Sequence, residues 1–187
     1  MIHENNDQID AVKHWLDEIV IGLNFCPFAA KPRRNKQIRY ICSQATSSED
    51  LLIDLQEELT LLDQTPATEI ETTLLIISKM LADFSDYNQF LDLVDELLVQ
   101  CEWEGIFQVA SFHPDYSFAD TEPDSVDNLT NRSPFPVLHI IREDSIEKVI
   151  KNITSADEIY KQNIQTIRNL SSEQIKTLFY YLSSTLV

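Results

Sequence analysis

Thr72-Thr73-Leu74-Leu75-Ile76-Ile77 is the stretch on which the fold turns. Its uncharged run of β-branched and leucine side chains has the length of a strand, whereas a buried helix would continue for ten residues or more. Such a run suits a central strand covered on both faces, and covering both faces takes helices on each side of the sheet.

The flanking sequence supplies those helices. Upstream, Leu51, Leu52, Leu55, Leu59 and Leu62 recur at threes and fours and predict a helix over residues 49–63, with Ser47 or Ser48 able to cap it. Thr65-Pro66-Ala67-Thr68 is a turn between that helix and the strand. Downstream, Tyr87, Phe90, Leu91, Val94, Leu97 and Leu98 predict a helix over about 85–102, and Gly105 separates it from a strand at Ile106–Phe112. Further out, Ile9, Val12, Leu16, Ile19, Val20 and Leu23 predict an amphipathic helix over 7–23 that Pro27 ends. Residues 25–36 hold two prolines and read as loop, followed by a short strand over Ile38–Ser43. Val137–Ile141 is a fourth strand, and Pro136 in front of it suits a strand at a sheet edge. Asp144 with Glu147, Ser155 with Glu158, and Ser171 with Gln174 have the spacing of capping boxes and predict three closing helices.

The expected order is therefore α-β-α-β-α-β-β-α-α-α, of α/β or α+β class, with a small mixed four-stranded sheet covered by helices. The fourth strand follows a long loop rather than a helix, so it should run antiparallel to the third. A chain of 187 residues buries roughly 70% of its unfolded surface without a metal or disulfide. One domain over 1–187 is expected, its helical segment 152–187 packed on the rest.

Composition narrows the function. No apolar run approaches the length of a membrane span, and the start, Met1-Ile2-His3-Glu4-Asn5-Asn6-Asp7, lacks the basic and apolar regions of a signal peptide, so a cytoplasmic location is expected. Three dispersed cysteines, Cys26, Cys42 and Cys101, write neither a disulfide framework nor a CxxC motif. A net charge of −17 argues against nucleic acid as a partner. The positive charge is concentrated, however: Lys31, Arg33, Arg34, Lys36 and Arg39 are five of the fourteen basic residues, and no carboxylate falls between residues 19 and 48. One basic strip on an acidic protein invites an anion; the plain alternative is a solvated loop that partners its own acidic chain.

Residues 113–135 contain three prolines and show no helical or strand period, and a loop of that length in a compact domain is usually functional. Ser111-Phe112-His113-Pro114-Asp115-Tyr116 ends the third strand and Thr130-Asn131-Arg132-Ser133-Pro134 precedes the fourth. Antiparallel pairing would bring His113, Asp115, Asn131, Arg132 and Ser133 to one rim. His139 and Arg142 would lie on opposite faces of the fourth strand. With two glycines in the chain a phosphate loop or dinucleotide fingerprint is excluded, and neither the HExxH nor the GxSxG motif is present.

Three constellations remain. Cys26 is a candidate nucleophile beside the basic strip, with His113 or His139 as base, although it follows a helix C-terminus whose dipole disfavours a thiolate. Its bland counterpart is a buried thiol. His113, His139, Cys26 and Asp115 are of metal-ligand type but lack ligand spacing, so a divalent metal is a weaker option and no cofactor is implied. Arg132, between Asn131 and Ser133, offers a two-pronged anion clamp, with Arg33, Arg34 and Lys36 as an opposite wall. The counterpart reading is that Asn131 and Ser133 satisfy the backbone of a turn. Trp15 and Trp103 read as core; Tyr160, Tyr180 and Tyr181 read as packing, with the seal of a groove or the seam of a homodimer as the alternatives.

Asn24-Phe25-Cys26-Pro27-Phe28-Ala29, His113-Pro114-Asp115-Tyr116-Ser117-Phe118-Ala119 and Thr130-Asn131-Arg132-Ser133-Pro134-Phe135-Pro136-Val137-Leu138-His139 resemble, in this order, the signature segments of an uncharacterised bacterial family, domain-of-unknown-function family 1415. The resemblance covers nearly the whole chain, including the helix around Asn163-Ile164, with Asp120 standing where the family often has glycine. It implies that Cys26, His113, Asn131, Arg132, Ser133 and His139 belong to the family pattern. It carries no activity, substrate or cofactor.

The function expected from these residues is recognition of a small phosphate- or carboxylate-bearing ligand at a His/Arg/Cys-lined pocket, by a binding domain or by a hydrolase or transferase. His113 or His139 would act as general acid/base. A non-catalytic protein-interaction module and a metal-dependent hydrolase are the alternatives. On the first reading Arg132→Ala leaves folding intact and removes anion binding.

Overall fold

In a computed structural model, residues 2–150 and 156–182 are described. Helix α1 (Ile2–Trp15) runs on through a wider π-helical turn, Leu16–Ile21; then come α2 (Ala30–Arg34), β1 (Ile38–Ser43), α3 (Ser48–Gln64), β2 (Thr72–Ile77), α4 (Phe84–Gln100) and β3 (Phe107–Phe112). A 3-10 turn at Val126–Asn131 leads to β4 (Val137–Arg142), α5 (Glu143–Ile150), α6 (Ala156–Arg168) and α7 (Ser172–Leu178). The chain is a mixed α/β fold whose main elements come in the order the sequence predicts.

The four strands form one sheet in the order β1-β2-β4-β3. β1 and β2 are parallel; β4 runs antiparallel to both β2 and β3. β2 is interior and buried at all six positions, as its continuous apolar run requires. Pro136 does not mark an edge: β4 is also interior, and the proline sits one residue ahead of the ladder, where its carbonyl accepts from the Ile77 amide at 2.9 Å.

Alternation along the strands divides two cores. On one face Leu74, Ile76 and Val137 pack against Val12, Trp15, Leu16 and Ile19 from the first helix and Ile167, Ile175 and Phe179 from α6 and α7 with the turn after it. On the other face Leu75, Ile77, Leu138 and Ile140 pack against Leu51, Leu55, Leu59 and Leu62 of α3 and Tyr87, Phe90 and Val94 of α4. The caps follow the sequence where its signals are strong. Ser47 accepts the Asp50 amide at the head of α3, and Ser171 with Gln174 forms a complete capping box on α7. The Ser155–Glu158 signal begins on a residue outside the described ones. α5 starts at Glu143 directly from β4, so Asp144 is its second residue.

Gly22 ends the π turn, and a Cβ there would lie 2.2 Å from the Glu18 carbonyl oxygen, a contact no side chain survives. The loop expected over 25–36 contains the short helix α2, so Cys26 precedes a helical segment as well as following one. Arg142 lies on the α3 side of the sheet, opposite to His139. One of its guanidinium nitrogens reaches the carbonyls of Leu62, Thr65 and Ile70 at 2.6, 2.7 and 3.1 Å. A cation at a helix C-terminus meets both the unpaired carbonyls and the negative end of the dipole. Arg142→Ala is therefore expected to destabilise the fold by about 2 kcal/mol in urea denaturation. A loss under roughly 0.5 kcal/mol, the ordinary range of surface changes, would show that water replaces the clamp at no cost.

Candidate functional site

The strand registers decide first which candidates can meet. Ile38, Thr72, Ile141 and Gln108 lie at one end of the sheet; Ser43, Ile77, Val137 and Phe112 lie at the other. The basic strip enters β1 at the first end, whereas residues 113–135 leave β3 and enter β4 at the second. Six-residue strands keep the ends roughly 17 Å apart. Arg33 and Arg34 therefore do not form a wall opposite Arg132, and the expected convergence of the two segments is corrected. Arg33 instead forms a two-pronged pair with Asp17 of the π turn, both bonds at 2.7 Å, Arg39 pairs with Glu58, and Arg34 and Lys36 are exposed.

At the second end the strand termini do meet, as antiparallel pairing requires. His113 N–H donates to the Asn131 carbonyl at 3.3 Å, and Ser133 N–H donates to the His113 carbonyl at 3.4 Å. The side chains there turn inward and serve the loop. His113 is fully buried; its Nδ1 accepts the Asp115 amide at 3.0 Å, which leaves the proton on Nε2 to be donated to the Leu81 carbonyl at 3.1 Å. Burial lowers its pKa, outweighing the backbone bond and the nearby Asp115. Both ring nitrogens are thus committed.

Arg132 is 3% exposed and donates to the carbonyls of Tyr116 at 3.1 Å and Pro123 at 2.7 Å, while its own carbonyl accepts from Trp15 Nε1 and Tyr181 Oη. Asn131 donates to the Ser111 carbonyl, and the Ser133 hydroxyl to that of Phe135. The cluster at 113–133 is a set of clasps closing its own loop, which matches the turn alternative for Asn131 and Ser133.

The remaining candidates lie elsewhere together. A cavity of ≈ 310 Å³ sits between the sheet and the first helix, roofed by the 25–29 turn, and both Cys26 and His139 line it. Trp15, Leu16, Val20, Phe25, Phe28, Leu74, Ala110, Phe112 and Ile141 make its walls apolar. Glu71, Gln108 and Ser145 are also on its lining, and exposed Gln108 places the opening at the first end of the sheet. Cys26 and His139 are deep in the protein yet keep some accessible surface, and the cavity is where that surface is found.

The chemistry of the two groups is set by their surroundings. His139 Nε2 lies 2.8 Å from Thr72 Oγ1, which lies 2.5 Å from the Ile140 carbonyl oxygen. Two oxygens that close repel unless a proton lies between them, so the Thr72 hydroxyl donates to the carbonyl and accepts from His139. The proton is then on Nε2, and Nδ1 carries a lone pair. Burial pushes the His139 pKa down to about 4, so at neutral pH the ring is an uncharged acceptor rather than an acid. Burial also raises the Cys26 thiol above its ordinary value, more than the backbone amides of Phe28 and Ala29 lower it. Cys26 is accordingly a neutral thiol. Thr72 was legible only as the polar member of the 72, 74, 76 face of β2, and its partnership with His139 needs the β2–β4 register.

Among the described residues no group of three or more His, Cys, Asp or Glu side chains is placed to hold a metal ion. No described helix is long and apolar enough to cross a membrane. A larger groove of ≈ 590 Å³ runs between β1 and α3. It is open, and polar groups on its lining are tied to one another, Arg39 to Glu58 and the Ser43 hydroxyl to Asp54.

Fold and cavity together define a small α/β protein with an internal apolar pocket against one face of an open mixed sheet. The chain belongs to the family described as Protein of unknown function (DUF1415), whose model matches residues 7–177. No curated protein and no solved structure matches it.

Proposed function

We propose that the chain is a small-molecule-binding domain and that its ligand occupies the cavity lined by Cys26 and His139. The observation that carries this reading is that two chemistry-bearing side chains, deep in the fold, keep accessible surface where an apolar cavity of ≈ 310 Å³ meets them. A concave, mostly apolar pocket with a few convergent polar groups is the usual form of a small-molecule site, and this volume is at the lower end of the common range. The ligand is mainly apolar. Of the cations that an anionic ligand was expected to use, Arg33 is paired with Asp17 and Arg132 with two carbonyls, and neither these nor Arg34 and Lys36 line the cavity.

N-phenyl-1-naphthylamine, uncharged and fluorescent in apolar surroundings, provides the test. It is expected to bind with one-to-one stoichiometry and, at about 100 times its Kd, to stabilise the protein by roughly 2.7 kcal/mol. Ala110→Trp fills the cavity from β3 and is expected to abolish the fluorescence gain. Equal binding by the folded variant would place the dye elsewhere and overturn the proposal.

A further inference from the structure

We infer that the ligand is an uncharged molecule whose polar end is a hydrogen-bond donor, a hydroxyl or an N–H, delivered to Nδ1 of His139; this rests on the pocket reading above. Four observations converge on it. The pair of contacts at Thr72 leaves its hydroxyl a single role toward His139, that of acceptor, and so places the ring proton on Nε2. Nδ1 is then a lone-pair acceptor, it has no partner among the described residues, and the ring lines the cavity. The tautomer cannot be exchanged cheaply, because protonating Nδ1 instead would strip Nε2 of the proton Thr72 accepts and set two lone pairs against each other.

The third observation is the charge of the walls. Among the described residues no lysine or arginine is on the cavity lining, and the one formally charged residue there is Glu71. The exposed cations Arg34 and Lys36 lie at the same end of the sheet as the opening but are not on its lining, so an anion inside would find no described cation beside it and would meet a lone pair at the polar end of the site. Buried charge without a partner is strongly disfavoured, so carboxylates and phosphates are selected against. Fourth, an acceptor-only ligand fares little better: its oxygen would face the Nδ1 lone pair, and both would lose their water. A neutral donor is the class that satisfies Nδ1 as the pocket is built.

The test uses four probes of similar shape on the intact protein: 2-naphthol, 2-methoxynaphthalene, 2-methylnaphthalene and 2-naphthoate. Affinity is read by titration calorimetry and Nδ1 by long-range proton–nitrogen NMR of the histidine rings. 2-Naphthol is expected to bind about five- to tenfold more tightly than the methoxy and methyl compounds, the worth of one neutral hydrogen bond. Naphthoate is expected to bind most weakly. The His139 Nδ1 resonance should move upfield with 2-naphthol and stay in place with the methyl compound. Equal affinity of naphthol and methoxynaphthalene, tightest binding of naphthoate, or an unmoved Nδ1 resonance under saturating naphthol would each overturn this inference while leaving the pocket in place. Binding of none of the four overturns the pocket reading and this inference with it. His139→Leu, if folded, should bind naphthol and methoxynaphthalene equally; the NMR readout on the unmodified protein stands whether or not that variant folds.

Discussion

Arg132→Ala is expected to cost on the order of 3–5 kcal/mol of folding stability, the reverse of what its place in an exposed-looking Asn-Arg-Ser loop suggests. The guanidinium is buried and supplies the donors for the Tyr116 and Pro123 carbonyls, which fix both arms of the 113–135 loop. Truncation leaves two carbonyls short of a donor, each costing about 1–3 kcal/mol, and opens a void where the side chain lay. The damage spreads because the Arg132 carbonyl holds Trp15 Nε1 at 3.0 Å, tying the loop to the first helix. His113→Ala should behave alike, since the ring bridges Leu81 and Asp115 inside a cluster with Phe84 and Tyr87. Arg33→Ala provides the contrast: its pair with Asp17 is more than a third exposed on both sides, and such pairs contribute about 0–1 kcal/mol. Urea denaturation of the three variants separates these cases. If Arg132→Ala falls with Arg33→Ala, the clasp is dispensable and the side chain is free for another role.

The second large effect is sensitivity to acid. In the unfolded chain His139 takes its proton near 6.5, whereas in the folded protein it does so only at about 4. Between those values the unfolded state binds more protons, so stability rises with pH across the window. The contribution is fully present above 6.5 and is lost as pH falls toward 4. A shift of this size corresponds to about 3 kcal/mol. His113, lowered by burial as well, acts in the same direction. Urea midpoints measured from pH 7.5 to 4 should therefore fall more steeply for the wild type than for His139→Gln, whose side chain does not titrate. Parallel profiles would mean that His139 is charged or hydrated in the folded protein, and the neutral-acceptor description of the cavity would fail with them.

Sequence periodicity reached some of these features and stopped short of others. The buried stretch at 72–77 and the stripes on α3 and α4 were legible because burial on two faces and on one face leave different periods. Capping at Ser47 and Ser171 was legible for a related reason, since the partners lie three residues apart in the chain. The meeting of His113 with Asn131 and Ser133 followed from one inference about strand direction. What misled was chemistry read from composition. A charged side chain near prolines and polar residues reads as exposed, yet Arg132 is buried because irregular backbone carries carbonyls that need donors, and only long-range packing shows which donors they take. Pro136 was likewise placed at an edge, because a sequence shows that an amide is missing but not that the ladder begins one residue later.

By itself the sequence determined the main elements, their order, the α/β class and the residues worth watching. The tertiary structure alone decided which of those residues share a site. Strand order β1-β2-β4-β3 and its registers put the basic strip and the 113–135 loop at opposite ends of the sheet, and put His139 beside Thr72 on the cavity face. The physical reason is that local propensity and periodicity act over three or four residues. The environment of His139 is instead set by Thr72, 67 residues away, and by the turn that carries Cys26, and no local pattern encodes such a meeting.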